Sequence, residues 1–159
     1  MAIVITAPNE LSCIKIVYPK MPILFLAGSI EMGAAEDWQT KVIDSAINKN
    51  WVILNPRRDD WDSSWQQSIH DDNFKQQVDW ELDAQDLSNF IYMYVDPNTK
   101  SPISLLELGL YASSNKMIVC CPDGFWRKGN VEIVCDRFGI PLLEDLDELI
   151  KYDLPCVVW

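Results

Sequence analysis

The sequence is short of basic residues and contains a single histidine. Its 159 residues include 13 Lys and Arg against 24 Asp and Glu, which gives a formal net charge of −11. A chain this acidic is repelled by nucleic acid and by anionic membranes, so we expect neither as a partner. Because His70 stands alone and no Cys/His cluster has ligand spacing, we expect no metal site.

Long apolar runs and paired cysteines are also missing. No stretch approaches the roughly 20 apolar residues of a membrane span. The N-terminus has no basic segment followed by an apolar core, so we expect no signal peptide and a cytoplasmic protein. The composition is compatible with a small-molecule substrate. None of the five cysteines forms a CxxC pair, so we expect them to be reduced and buried. They are Cys13, Cys120, Cys121, Cys135 and Cys156.

Short apolar segments alternate with helical patterns along most of the chain. The predicted strands are residues 23–27, 51–54, 90–95, 117–121 and 140–143. Such alternation is typical of a parallel sheet covered by helices on both faces. We therefore predict an α/β fold with a doubly wound, mostly parallel, five-stranded sheet of the flavodoxin-like or Rossmann-like type. Ligands bind such sheets beyond the carboxyl ends of the strands.

The length of the chain predicts one domain, residues 1–159. Residues 1–22 are predicted to be an N-terminal arm, in which prolines surround a short strand at residues 14–17. Residues 23–143 then form the core of the domain, and residues 144–159 form a C-terminal helix and tail.

The segment 101–112 contains the most unusual acidic residue. Ser101 and Pro102 predict the start of a helix. The apolar residues that recur there at helical spacing, and so predict one buried face, are Ile103, Leu106, Leu110 and Tyr111. Glu107 lies in the middle of this face. A carboxylate there is costly unless it is paired, hydrogen-bonded or protonated, so we consider Glu107 a candidate catalytic residue.

Glu81 shares this property in the predicted helix 72–87, where Phe74, Val78 and Gln85 fall on the same face. Two inward-facing acids in unlike environments suit a nucleophile and a general acid, the pair that acts on glycosidic bonds. A second interpretation is structural: each acid caps a neighbouring helix or pairs with one of the arginines at positions 57 and 58.

The turn Gly28-Ser29-Ile30 ends the first predicted strand and opens a helix. Its backbone amides can receive a phosphate or a sugar hydroxyl, although a plain tight turn explains the same residues. It matches neither GxGxxG nor the P-loop motif.

The loop 57–70 is long for a compact domain, which is typical of functional or disordered segments, and its tryptophans argue against disorder. Trp61 can stack on a planar base, and Arg57 and Asp62 can hydrogen-bond to it. A surface loop that packs on itself is the alternative interpretation.

Four motifs, taken in order, resemble those of the nucleoside 2-deoxyribosyltransferases, and more closely those of the branch described as nucleoside 2-deoxyribosyltransferase-like. They are FLAGSI, WEL around Glu81, SLLELG around Glu107 and GFWRKGN. The resemblance spans roughly residues 23–143. It implies a flavodoxin-like or Rossmann-like fold and an enzyme of nucleotide salvage that needs no cofactor. The implied reaction moves 2-deoxyribose between purine and pyrimidine bases, so the implied partners are a 2′-deoxynucleoside and a free nucleobase.

The resemblance also implies roles for single residues. The glutamate of the ELG motif, Glu107, corresponds to the nucleophile, and Glu81 takes the place of an acid, usually aspartate, that lies near the leaving base. Asn130 corresponds to an asparagine that reaches the site of a neighbouring subunit, although from the sequence alone it can equally cap a helix. The implied assembly is a homodimer, or a set of dimers, with shared active sites.

Ser101 stands where many of these transferases carry an aspartate that holds the sugar 5′-hydroxyl. A related group, the deoxynucleoside 5′-monophosphate N-glycosidases, shows GSI after the first strand and a serine that contacts phosphate. A hydrolase of that kind, with Ser29 or Ser101 on the phosphate, is the alternative prediction. A non-catalytic nucleotide-binding module of the same fold is the third.

Overall fold

Six parallel strands form one sheet in the computed structural model of the chain, which describes residues 1–30 and 35–155. Cys156 and the rest of the predicted tail, residues 156–159, lie outside the described residues. The strands are β1 (Ile3–Thr6), β2 (Ile23–Gly28), β3 (Val52–Asn55), β4 (Phe90–Tyr94), β5 (Met117–Cys120) and β6 (Leu142–Leu143). Their order across the sheet is β1-β3-β2-β4-β5-β6.

The helices of the described residues are α1 (Ile14–Val17), α2 (Trp38–Ser45), α3 (Asp72–Leu87), α4 (Pro102–Tyr111), α5 (Lys128–Phe138) and α6 (Leu146–Lys151). A 3-10 turn, Ala112–Ser114, follows α4. The longest helix, α3, begins where Asp71 accepts hydrogen bonds from the backbone amides of Asn73 and Phe74. No helix in this part of the chain is both long and apolar enough to cross a membrane.

The predicted α/β fold with a doubly wound parallel sheet is confirmed, but the sheet has six strands and not five. The additional strand is β1, which lies within the predicted arm and pairs with β3, with Ile3 opposite Val52. Residues 14–17 form a helical turn and not the predicted strand. Ile14 is buried in the core there, and the adjacent sheet edge is already occupied by β1.

Helices cover both faces of the sheet and divide the core into two layers. One layer packs Trp80 of α3, Leu108 of α4 and Val131 of α5 against the sheet. The other contains Trp38 of α2 and Leu149 of α6. Strands β2, β4 and β5 are consequently buried on both sides, which explains their almost continuous apolar sequences.

The orientation of α4 differs from the prediction. Ile103, Leu106 and Leu110, which were predicted to face the core, are 60%, 59% and 56% exposed. Ser104, Glu107 and Leu108 are buried instead. Since α4 carries apolar residues on nearly every side, its spacing alone does not decide which side packs on the sheet.

The cysteines of the described residues carry no disulfide. Cys120, Cys121 and Cys135 are buried free thiols, as predicted, whereas Cys13 is exposed, contrary to the prediction. Cys120 ends β5 and Cys135 lies on the inner side of α5, so both belong to the apolar layers of the core.

Gly28 ends β2 directly beside Tyr94 of β4. A Cβ atom added to Gly28 would lie 2.1 Å from the carbonyl oxygen of Tyr94, and its backbone φ is +134°. Glycine is the residue that tolerates both conditions. The end of β2, and with it the position of Ser29, therefore depends on the missing side chain.

We expect Gly28→Ala to lower the free energy of unfolding by about 3 kcal/mol or more, because β4 must move to admit the methyl group. Urea denaturation followed by circular dichroism measures the change. Gly129→Ala is the control: it lies in α5 with no atom within 4 Å of the added Cβ. The free energy of unfolding of Gly129→Ala should exceed that of wild type by no more than about 1 kcal/mol. Equal effects of both substitutions would contradict the close approach.

Candidate active site

The carboxyl ends of β2 and β4 form the switch point of the sheet. From β2 the chain crosses to β3 on one side, and the next strand, β4, lies on the other side of β2. Apart from the edge strand β1, this is the order of a flavodoxin-like sheet, in which ligands bind at the crevice between these two strands. The turn 28–30 follows β2 at this edge, and residues 96–101 follow β4.

Glu107 lies in α4 and turns its carboxyl group toward α3. It is 8% exposed, and its Oε1 accepts a hydrogen bond of 2.8 Å from the side-chain amide of Gln85. Glu81 lies one turn before Gln85 on α3 and is partly buried. Its Oε1 accepts a bond of 2.8 Å from Gln77, which also donates to the Pro56 carbonyl at 3.0 Å. Each glutamate thus has a glutamine of α3 as its donor.

Burial determines the electrostatics of this glutamate pair. Loss of water raises the pKa of Glu107 to about 8, and the nearby charge of Glu81 adds to the rise, whereas the Gln85 bond opposes it. Burial likewise raises the pKa of Glu81 to about 7 against the opposing bond from Gln77. Near neutral pH the pair therefore retains protons, which lets one carboxyl act as an acid while the other acts as a nucleophile.

The two arginines considered as structural partners of the glutamates pair elsewhere. Arg58 binds both carboxylate oxygens of Asp60, at 2.6 and 2.7 Å. Arg57 lies 3.9 Å from Asp37 and donates to the Gln39 side chain at 3.4 Å. The glutamates accept their hydrogen bonds from neutral amides, so their charge is left without a cationic partner among these groups.

Three buried hydroxyl groups meet beside the switch point. Ser29 Oγ contacts Ser101 Oγ directly and lies 3.0 Å from Thr99 Oγ1, and the amide of Asp96 donates to Ser29 Oγ at 2.8 Å. Ser101 precedes α4 as predicted, but its side chain makes no capping bond, and its backbone is left-handed with φ of +43°. Its hydroxyl instead belongs to this cluster. Ile30 is half-buried at the same edge.

The loop 57–70 packs largely on itself. Trp61 contacts Trp65 edge to face, with 5.0 Å between ring centroids, and the Arg58 guanidinium lies 5.0 Å above the Trp65 ring. The Asp62 side chain accepts the Ser64 amide within the loop at 2.8 Å. The loop reaches the glutamate pair through Arg58, whose Nη1 is 3.4 Å from the Gln77 side-chain oxygen.

Asn130 lies in the first turn of α5 and is exposed. It lines a groove between α4 and α5 together with Leu105, Leu108, Gly109 and Trp126. The structure of one chain therefore groups Gly28, Ser29, Ile30 and Ser101 at the switch point and Glu81 with Glu107, and places Asn130 on another surface.

Two glutamines and a threonine were not predicted as site residues. Gln85 falls on the same helical face as Glu81, which is a weak signal, and Gln77 and Thr99 carry none. Their role depends on contacts between segments that are distant in sequence. Within the described residues, no three His, Cys, Asp or Glu side chains cluster closely enough to hold a metal ion.

Comparison with known proteins points to one family. A family model described as "Nucleoside 2-deoxyribosyltransferase like" matches residues 22–125. The crystal structure of a conserved protein from Enterococcus faecalis V583 superposes with a TM-score of 0.57 at 11% identity, over 82% of this chain and 96% of that chain. At that identity the similarity concerns the fold. No curated protein matches the sequence.

Burial of Glu107 predicts a pH-dependent cost to stability. Its carboxyl group ionises near pH 4.5 in the unfolded chain and at about 8 in the folded protein, so folding binds a proton between these values and stability falls as pH rises through them. Glu107→Gln removes this cost. At about 1.4 kcal/mol per pKa unit, we expect the variant to gain roughly 2–4 kcal/mol over wild type between pH 5 and pH 8.

Urea denaturation at both pH values measures this gain. Asp79→Asn, an exposed acid on the outer side of α3, is the control and should show no comparable change. A Glu107→Gln variant whose advantage is the same at pH 5 and pH 8 would contradict the raised pKa.

Proposed function

Because the chain belongs to the nucleoside 2-deoxyribosyltransferase-like family, as the match over residues 22–125 shows, we propose that it transfers 2-deoxyribose between nucleobases. Members of this family are generally enzymes of glycosyl transfer or hydrolysis. The observation that carries the proposal is the pair of inward-facing glutamates, Glu107 buried and Glu81 partly buried, each held by one glutamine of α3.

In the first half of the reaction, the Glu107 carboxylate attacks C1′ of a 2′-deoxynucleoside. The C1′–N bond breaks, and the base leaves with the electron pair of that bond and a proton from Glu81, directly or through water. A deoxyribosyl ester of Glu107 forms. Burial raises the pKa of Glu81 to about 7, which supports its role as the acid near neutral pH. Burial raises the pKa of Glu107 further, to about 8, so the attack on C1′ requires that Glu107 has first given up its proton.

In the second half, a nitrogen of another base attacks C1′ from the face that the first base left. The ester bond breaks, Glu107 regains its charge, and the proton of the incoming base returns to Glu81. Two inversions restore the β-anomer. The substrate lacks a 2′-hydroxyl, which eases formation of the cationic transition state. Ser29, Ser101 and the turn 28–30 are proposed to bind the sugar, with Arg57, Trp61 and Asp62 toward the base.

The hydroxyl cluster supports a second candidate, hydrolysis of deoxynucleoside 5′-monophosphates. Ser29, Thr99 and Ser101 gather three hydroxyl groups at the edge where a ligand enters. Hydroxyl groups donate readily to phosphate oxygens. In this reaction water takes the place of the second base.

A chromatographic assay separates the two candidates. We expect deoxyinosine plus cytosine or adenine to give a new deoxynucleoside, and we expect Glu107→Ala to lower the rate by at least about a thousandfold, since the nucleophile is lost. Release of free base mainly from deoxynucleoside monophosphates, without need of an acceptor, would instead support the hydrolase. Full activity of Glu107→Ala would contradict both candidate reactions. A wild-type protein without activity in either assay would favour a non-catalytic binding module.

The exposed apolar side of α4 supports a proposed homodimer. Ile103, Leu106 and Leu110 lie there, close to the groove that contains Trp126 and Asn130. A contiguous apolar surface of this kind is typical of an interface. A second copy of the chain is its proposed occupant, and Asn130 is then the residue that reaches the neighbouring active site.

We expect Leu106→Glu to dissociate this dimer, because it buries an unpaired charge in the interface. Light scattering after size-exclusion chromatography measures the mass. Ile16→Glu, an equally drastic change at the exposed Ile16 of α1, is the control and should leave the mass unchanged. A wild-type protein that is monomeric at micromolar concentration would contradict the proposal.

A further inference from the structure

Gln85 is a fully buried glutamine between the two glutamates. Its side chain is 0% exposed. Its amide nitrogen donates to Glu107 Oε1 at 2.8 Å and to the backbone carbonyl of Glu81 at 3.2 Å. A glutamine amide has two N–H groups, so both are used, one toward α4 and one within α3.

The other end of the same amide has no partner. Gln85 Oε1 is buried and accepts no hydrogen bond from the described residues. Buried polar atoms without partners are uncommon because they cost free energy. A methionine of similar volume would fill this position without that cost. The glutamine therefore contributes more to Glu107 than to the packing of α3.

The backbone at Gln85 is anchored. Its carbonyl accepts the Ser88 hydroxyl at 2.8 Å and the Lys116 ammonium group at 3.1 Å, and the same ammonium group binds the Asp86 carbonyl at 2.8 Å. These contacts fix the last turn of α3 against the start of β5. The backbone that carries the Gln85 amide is therefore held in place by these hydrogen bonds.

We infer that Gln85 is a positioning residue for Glu107: its amide N–H fixes the direction of the carboxylate and stabilises the charged form of Glu107. The inference rests on the proposed function, since it concerns the reaction that Glu107 begins. A donor to a carboxylate stabilises its ionised form, and that form is the nucleophile.

Few other ionisable groups face Glu107. Glu81 approaches from α3, and its charge raises the pKa of Glu107. Tyr111 lies one turn further along α4, with its hydroxyl committed to Asp86 at 2.8 Å. Lys116 is held by backbone carbonyls. The Gln85 amide is thus the group that opposes burial and the Glu81 charge, while Gln77 has the corresponding role at Glu81.

The test compares Gln85→Met with two matched variants of the same helix. Gln77→Met removes the donor to Glu81, and Gln76→Met makes the same chemical change at an exposed position. Carboxyl titrations are followed by NMR of protein labelled with 13C at the glutamate side-chain carboxyl, and Glu107→Gln and Glu81→Gln assign the signals. Thermal unfolding shows that each variant is folded, and Gln85→Leu, which also removes the donor without adding a charge, replaces Gln85→Met if that variant does not fold.

We expect Gln85→Met to raise the titration midpoint of Glu107 by about one pH unit, and kcat for deoxyribosyl transfer to fall about tenfold at the wild-type pH optimum with a smaller change in KM. Gln77→Met should raise the midpoint of Glu81 instead, and Gln76→Met should move neither. An unchanged Glu107 midpoint in a folded Gln85→Met or Gln85→Leu variant would overturn the inference. A wild type without transferase activity, combined with a shifted midpoint, would overturn the proposed reaction and support the contact.

Discussion

Glu107 keeps a carboxyl group between α4 and α3, where burial removes most of the water that would solvate its charge. This constraint explains the neighbourhood. A full ion pair would hold the acid ionised, whereas an acid without a hydrogen bond would have a still higher pKa. The Gln85 amide lies between these limits, since it supplies one neutral donor. Gln77 gives Glu81 the same kind of partner, so the higher pKa of Glu107 comes from its burial and from the nearby charge of Glu81.

The sheet supplies the rest of the geometry. Gly28 lets β2 end in contact with the backbone of β4, and this contact brings the Ser29 hydroxyl to Thr99 and Ser101, which lie about seventy residues later in the sequence. The left-handed backbone at Ser101 then turns the chain into α4, the helix that carries Glu107. The hydroxyl cluster and Glu107 are therefore positioned by the same connection between β4 and α4.

Sequence patterns were reliable where burial is complete. The apolar segments of β2, β4 and β5, and the span of α3 at residues 72–87, were found from the sequence because residues buried on both sides, or a clear helix start, leave one interpretation. Sequence patterns predicted the wrong structure where the same spacing of apolar residues fits two different structures. Residues 14–17 alternate like a strand and fold as a helix, β1 is short and lies at the edge, and α4 is apolar all round, so its buried side was assigned wrongly.

The sequence by itself determined the alternation of elements and the parallel α/β sheet, because these follow from local periodicity. The cost of burying charge also drew attention to Glu81 and Glu107, although the buried side of α4 differs from the predicted one. The tertiary structure alone decided which groups touch those glutamates. Gln85 lies 22 residues from Glu107 along the chain, and Ser29 lies 72 residues from Ser101. Contacts over such separations arise from the packing of helices on a sheet, and no local pattern records them.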